Sequence, residues 1–129
     1  MKRFLDTNVI VAAVTRDTDR SDAAVSVLND GDEVYTSLLN FMELRTVLTK
    51  KKQFERGRVE QIEQRVASRV TVTFPDASDM IEANRIQEET LLYPMDALVL
   101  SCANSVGATL VSFDAELRDH GAKHPGDVI

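Results

Sequence analysis

Cysteine, histidine, net positive charge and long apolar runs are all scarce in this 129-residue sequence. One cysteine, Cys102, cannot build a disulfide framework, and with only two histidines, His120 and His124, it cannot close a structural zinc site. The longest uninterrupted apolar run, Val9 to Val14, is far too short to span a membrane. The opening Met1-Lys2-Arg3-Phe4-Leu5-Asp6 reaches an acid too soon to hold the apolar core of a signal peptide, so a cytoplasmic, reducing location is expected. A formal net charge of −6 argues against a protein that coats nucleic acid through overall charge. No repeat, low-complexity stretch or linker interrupts the chain. Residues 1–129 are expected to form one domain, burying roughly two thirds of the unfolded surface.

The charge that is present is unevenly spread. Twelve of the fifteen Lys and Arg fall in residues 1–69, whereas residues 70–129 hold three of them against ten acids. Apolar periodicity alternates between strand and helix along the whole chain. Phe4-Leu5 reads as a first strand running into Asp6-Thr7-Asn8, and Val9 to Val14 as the buried start of a helix capped by Asp6 or Thr7. Asp17-Thr18-Asp19 reads as a loop, and Ser21 opens a helix that stops at Asn29-Asp30-Gly31. Val34-Tyr35-Thr36 is a strand, after which Ser37 caps a long helix running to about Lys50. Val59, Ile62 and Val66 recur at helical spacing before a strand from Val70 to Phe74. Helices then follow near Ser78–Leu91 and from Pro94 to Asn104, and Gly107 leads into a strand from Thr109 to Ser112. Strands separated by helices in this order predict an α/β fold, a three-layer α/β/α sandwich with a mainly parallel sheet covered on both faces.

In such sheets ligands gather at the carboxyl ends of the strands. Asp6 ends the first strand, Asp114 lies just past the last, and Asp96 falls in the first turn of the helix after Pro94. Taken singly, Asp6 and Asp114 read as helix caps and Asp96 as a residue that favours the positive end of a helix dipole. Glu43 is different. Its helix carries Leu38, Leu39, Phe41, Met42, Leu44, Val47 and Leu48, apolar nearly all round, so Glu43 is expected to be buried and to need a cation or an Arg partner. Taken together, the four acids point to a cation-binding pocket. Oxygen ligands without His or Cys favour Mg²⁺ or Mn²⁺ over zinc, and such an ion serves phosphodiester hydrolysis.

These segments resemble the PIN-domain ribonucleases, and within them the VapC-type toxins of toxin–antitoxin pairs. The resemblance rests on Phe4-Leu5-Asp6-Thr7-Asn8-Val9-Ile10 and on Glu43 within Ser37-Leu38-Leu39-Asn40-Phe41-Met42-Glu43-Leu44. It continues through Pro94-Met95-Asp96-Ala97-Leu98-Val99-Leu100-Ser101-Cys102-Ala103 and Thr109-Leu110-Val111-Ser112-Phe113-Asp114, in the family's order over nearly the whole chain. It implies that Asp6, Glu43, Asp96 and Asp114 bind one or two Mg²⁺ or Mn²⁺ ions, with Asp6 and Asp96 the principal ligands. It also implies that Asn8 positions water or metal, and that Ser112, where many members have Thr, keeps a hydroxyl that orients a carboxylate. RNA as substrate, hydrolysis leaving a 5′-phosphate and a 3′-hydroxyl, a cognate antitoxin as partner and a homodimer follow from the same resemblance. A housekeeping RNA-processing nuclease of the same fold is the first alternative.

Other classes fit less well. A phospho-acceptor signalling domain would carry paired acids after the first strand and a late Lys, yet Asp6 is followed by Thr7 and Thr109 to Asp114 holds no Lys. A dehalogenase-like phosphatase would have Asp where Asn8 stands, and a non-catalytic binding module would not need four acids. Cys102 reads as a small buried group, and His120 and His124 as surface residues. Lys50, Lys51 and Lys52, with Arg56 and Arg58, form the densest basic cluster, either a solvated helix end or a phosphate-tracking patch. Arg45 and the three lysines are therefore candidate RNA contacts. Lys51 is expected roughly 12 Å along the helix from Glu43, at about 1.5 Å per residue.

Overall fold

The computed structural model describes residues 1–16, 18–30 and 33–129, so the loop expected over Asp17 and the helix stop expected at Gly31 lie outside the described residues. Four strands, β1 (Lys2–Leu5), β2 (Glu33–Ser37), β3 (Thr71–Thr73) and β4 (Thr109–Val111), pair in parallel in the order β3-β2-β1-β4. The helices are α1 (Thr7–Thr15), α2 (Ser21–Asp30), α3 (Leu38–Thr46), α4 (Arg56–Arg69), α5 (Ala77–Thr90), α6 (Pro94–Ser105) and the short α7 (Ala115–Arg118).

Strand residues alternate between two separate cores. Phe4, Tyr35 and Leu110 pack with Ile86 of α5 and Val99, Leu100 and Ala103 of α6. Leu5, Val34 and Val111 pack with Val9 and Ile10 of α1, Val27 of α2, Leu44 of α3 and Ile62 of α4. Successive strand side chains point to opposite faces, so each face of the sheet carries its own helical layer, which is the three-layer sandwich expected. Among the described residues no helix is long and apolar enough to cross a membrane.

The strand order places a crevice. From β1 the chain steps to β2 and β3 on one side, then crosses back to β4 on the other, so the order reverses between β1 and β4. Loops leaving the carboxyl ends of those two strands diverge, and the opening between them is the usual ligand position. Asp6 follows β1, and Ser112, Phe113 and Asp114 follow β4.

A buried polar link holds α3 against this crevice. The Ser37 hydroxyl donates to Asn40 Oδ1 at 2.6 Å and accepts from the Asn40 N–H at 3.2 Å, a reciprocal cap. Asn40, fully buried, in turn donates from Nδ2 to Thr7 Oγ1 at 3.0 Å, tying the start of α3 to the start of α1 beside Asp6.

Two features of α3 depart from the sequence reading. The helix is not buried all round: Asn40, Phe41 and Leu44 face inward, Leu38 and Met42 are largely exposed, and Glu43 is exposed. Leu38 and Met42, four apart, make a solvent-facing apolar stripe, so residue type alone misjudged which face packs. The helix also does not continue regularly to Lys50. It passes into one π-helical turn, Val47–Lys51, in which the Lys52 N–H reaches back five residues to the Val47 carbonyl at 3.0 Å.

Asn40→Ala would leave Thr7 Oγ1 and the Ser37 cap without their buried partner. Urea unfolding is expected to show a loss of about 1–3 kcal/mol. A change below about 0.5 kcal/mol would show that the link does not hold α3 in place.

Candidate active site

The crevice opens into a cavity of about 570 Å³ whose lining includes Asp6, Asn8, Arg20, Glu43, Lys51, Lys52, Asp96 and Asp114. Four acids that lie far apart in sequence thus share one space. Each arrives by a different local route. Asp6 is the N-cap of α1, Asp114 is the N-cap of α7, and Asp96 sits in the first turn of α6, whose first residue is Pro94. Glu43 comes from the exposed side of α3. Capping and pocket formation are therefore compatible roles for the same carboxylates.

Ser112 is the hub of the β1–β4 side. Its hydroxyl donates to Asp6 Oδ2 at 2.7 Å, and accepts from Asn8 Nδ2 at 3.2 Å and from the Asp114 N–H at 3.0 Å. One donor and two acceptor positions are all a hydroxyl has, so the group is saturated. Asp6 Oδ1 accepts from the Thr7 N–H at 2.9 Å, and Asn8 Oδ1 accepts from the Phe113 N–H at 3.2 Å. Asn8 thus bridges the two strand exits rather than standing free in the cavity.

Burial raises the Asp6 carboxyl above its ordinary range against the hydrogen bonds from Ser112 and Thr7, and the nearby charges of Glu43 and Asp114 push it further up. Asp96 is half-buried and is pushed up to about 6, first by burial and then by the fields of Asp114, Asp6, Glu116 and Glu43. Glu116 is a fifth acid that sequence reasoning missed. Its place two residues after Asp114, in the first turn of a helix leaving β4, was the available signal. Arg20 was missed as well, because only the folded path of the α1–α2 connection brings it to the cavity.

The basic candidates separate. Lys51 and Lys52 line the cavity, whereas Lys50 and Arg45 are not among its lining residues. Arg45, two residues beyond Glu43, lies about 200° around the helix. There its guanidinium bonds Glu63 of α4 through two nitrogens, the closer at 2.7 Å. Arg56 pairs with Glu60 at 3.3 Å, and Arg58 lies 3.8 Å from the centroid of the Phe54 ring. His120 is exposed, but His124 is half-buried: its ring meets Phe113 edge-on at 5.2 Å, and its Nδ1 accepts from the Gly126 N–H at 2.9 Å. Both histidines reach the surface, and His124 Nδ1 also caps the Pro125–Asp127 turn. Cys102 is buried, and burial first pushes its thiol up to about 11, which suits packing and not nucleophilic attack.

The donor set fits a hard divalent cation. The anionic side chains on the cavity are all carboxylates, with neither His nor Cys among its lining residues, and the neighbouring acids raise Asp6 and Asp96. Among the described residues no three Asp, Glu, His or Cys side chains already stand gathered around one point.

An α/β sandwich with an acid-lined crevice at the strand ends is the class of domain, and comparison with known proteins gives the family. The family model for the PIN domain matches residues 3–123, and the chain belongs to that family. Among solved structures, it is similar to Mycobacterium tuberculosis VapC20, described as a sarcin–ricin-loop-cleaving toxin, with TM-score 0.76 and 21% identity over 93% of this chain and 95% of that one. VapBC2 from Rickettsia felis, solved with a promoter DNA fragment, matches with TM-score 0.74 and 19% identity over 92% of each chain. VapBC-1 from nontypeable Haemophilus influenzae matches with TM-score 0.73 and 17% identity over 98% and 99%. At these identities the likeness shows a shared fold. No curated protein sequence matches the chain.

A raised carboxyl has a defined effect on stability. Between its unfolded value near 3.8 and its folded value of about 6, Asp96 holds a proton in the folded chain that the unfolded chain has released. Folding is therefore favoured at the acid end of that window and weakened as pH rises through it. Asp6, also raised, acts in the same direction. Asp76 and Glu82 are lowered, so their contribution is lost only as pH falls below about 4.5, which lies under the range from pH 5 to pH 7. Without divalent metal, the melting temperature should fall from about pH 5 to about pH 7, and Asp96→Asn should flatten that fall. An unchanged slope in Asp96→Asn would show that the Asp96 carboxyl is not raised in the folded chain.

Proposed function

We propose that this chain is a Mg²⁺- or Mn²⁺-dependent endoribonuclease, the toxin of a VapBC-type toxin–antitoxin pair. The observation that carries the reading is the meeting of Asp6, Glu43, Asp96 and Asp114 on one cavity at the β1–β4 crevice, in a chain of the PIN family. VapC20, described as a toxin, and the VapBC structures of the same fold support it. In this reading residues 1–129 act as one nuclease domain, paired in the cytoplasm with an antitoxin and with a second copy of itself.

Asp6 and Asp96 would be the principal ligands, with Glu43 and Asp114 completing the set. When bound, the ion supplies charge to neutralise the scissile phosphate and acidity to activate a water. The chain's own residues do the positioning. The Ser112 hydroxyl and the Thr7 N–H each engage one oxygen of Asp6, which fixes the carboxylate plane. Asn8 locks the two strand exits together through Ser112 and Phe113. Lys51 and Lys52 place positive charge on the rim, where phosphates flanking the cut bond would lie.

With a labelled RNA substrate, cleavage should require Mg²⁺ or Mn²⁺ and stop in EDTA. Asp6→Asn should lower the rate by roughly a hundredfold or more, while its circular dichroism spectrum stays that of the parent. Undiminished cleavage in EDTA, or by Asp6→Asn, would contradict the reading.

A further inference from the structure

Lys51 and Lys52 are not the only cations on the acidic cavity. Arg20 also lines it, at the turn that leads into α2. Its guanidinium carbon lies 4.9 Å from the centroid of the Phe113 ring, within cation–π distance. Its backbone is held too, since the Arg20 N–H donates to Thr18 Oγ1 at 3.3 Å.

The ring beneath it is fixed in place. Phe113 is buried, its N–H is bonded to Asn8, and His124 meets it edge-on. It also sits between Ser112 and Asp114, so the platform belongs to the same strand exit that holds the acids. Among the described residues no ion pair joins Arg20 to any carboxylate of the cavity. A guanidinium laid on a ring keeps its in-plane N–H groups for a planar, bidentate acceptor, which a phosphate provides.

Phe113 follows β4, so Arg20 stands on the β4 side of the crevice. Lys51 and Lys52 line the same cavity from the π-helical turn that follows α3 and from the residue after it.

We propose that Arg20, stacked on Phe113, grips an RNA phosphate flanking the cut bond on the β4 side and so positions the strand across the four acids. The inference rests on the ribonuclease reading. Arg20 touches substrate away from the reacting phosphorus, and Phe113 is a positioning residue that acts through it.

The test uses a fluorescein-labelled single-stranded RNA of mixed sequence and the full chain carrying Asp96→Asn, in Mg²⁺, so that the RNA stays intact. Adding Arg20→Gln should weaken binding roughly tenfold. It should also lower the slope of log K against log salt by about 0.7, one phosphate contact on a single strand. Arg20→Lys should restore the slope but not the full affinity, because an ammonium lacks the planar fork. Phe113→Leu should keep the salt slope and lose affinity, with its fold checked by urea melting. In the otherwise unmutated chain, Arg20→Gln should raise KM and leave kcat within about twofold, as expected for a contact made equally in ground and transition states. If the Asp96→Asn parent binds RNA and Arg20→Gln matches it in affinity and slope, the Arg20 assignment is overturned and the ribonuclease reading stands. If the parent binds no RNA at all, both fall together.

Discussion

Carboxylates that face one another at the end of a parallel sheet are the constraint around which this molecule is arranged. Each prefers water or a cation to the company of the others, and Asp6 is nevertheless buried. A hydroxyl at position 112 makes this tolerable. It gives its proton to Asp6 and uses its lone pairs to hold Asn8 and the Asp114 backbone, so one small side chain couples β1, α1 and the exit from β4. The Asn40–Thr7 bond does the same for α3 and therefore for Glu43. Repulsion is thus contained by a polar scaffold.

In a chain of net charge −6, positive charge is gathered locally on the cavity. The π-helical turn at Val47–Lys51 widens the helix by a residue, and Lys51 and Lys52 come to the cavity while Lys50 does not. Arg20 joins them on the cavity over the Phe113 ring. Arg45, the nearest cation to Glu43 in sequence, is held instead by Glu63 on another face. Proximity along the chain was a poor guide to which charges share a surface.

Much of the architecture was legible beforehand, for identifiable reasons. The strands alternate or run apolar, helix starts carry Asp, Ser or Pro in capping positions, and the strand–helix rhythm implies a parallel sheet, whereas the strand order comes only from the fold. Asp6, Asp96 and Asp114 were readable because each marks a helix start, two of them directly at a strand exit. The burial of Glu43 was misjudged because apolar residues surround it in sequence, yet Leu38 and Met42 are left to solvent. The π turn, the tertiary role of His124 and the Arg20–Phe113 stack leave no local pattern, since each depends on where another element lies. Glu116 was within reach, two residues beyond an acid already singled out.

The central claim is that the four acids form one cation site, and Mn²⁺ titration followed by electron paramagnetic resonance tests it without reference to any substrate. The free-ion signal should be depleted saturably by the parent chain, with affinity weakened by at least roughly tenfold in both Asp6→Asn and Asp96→Asn. Equal depletion by all three chains, or none by the parent, would contradict the account.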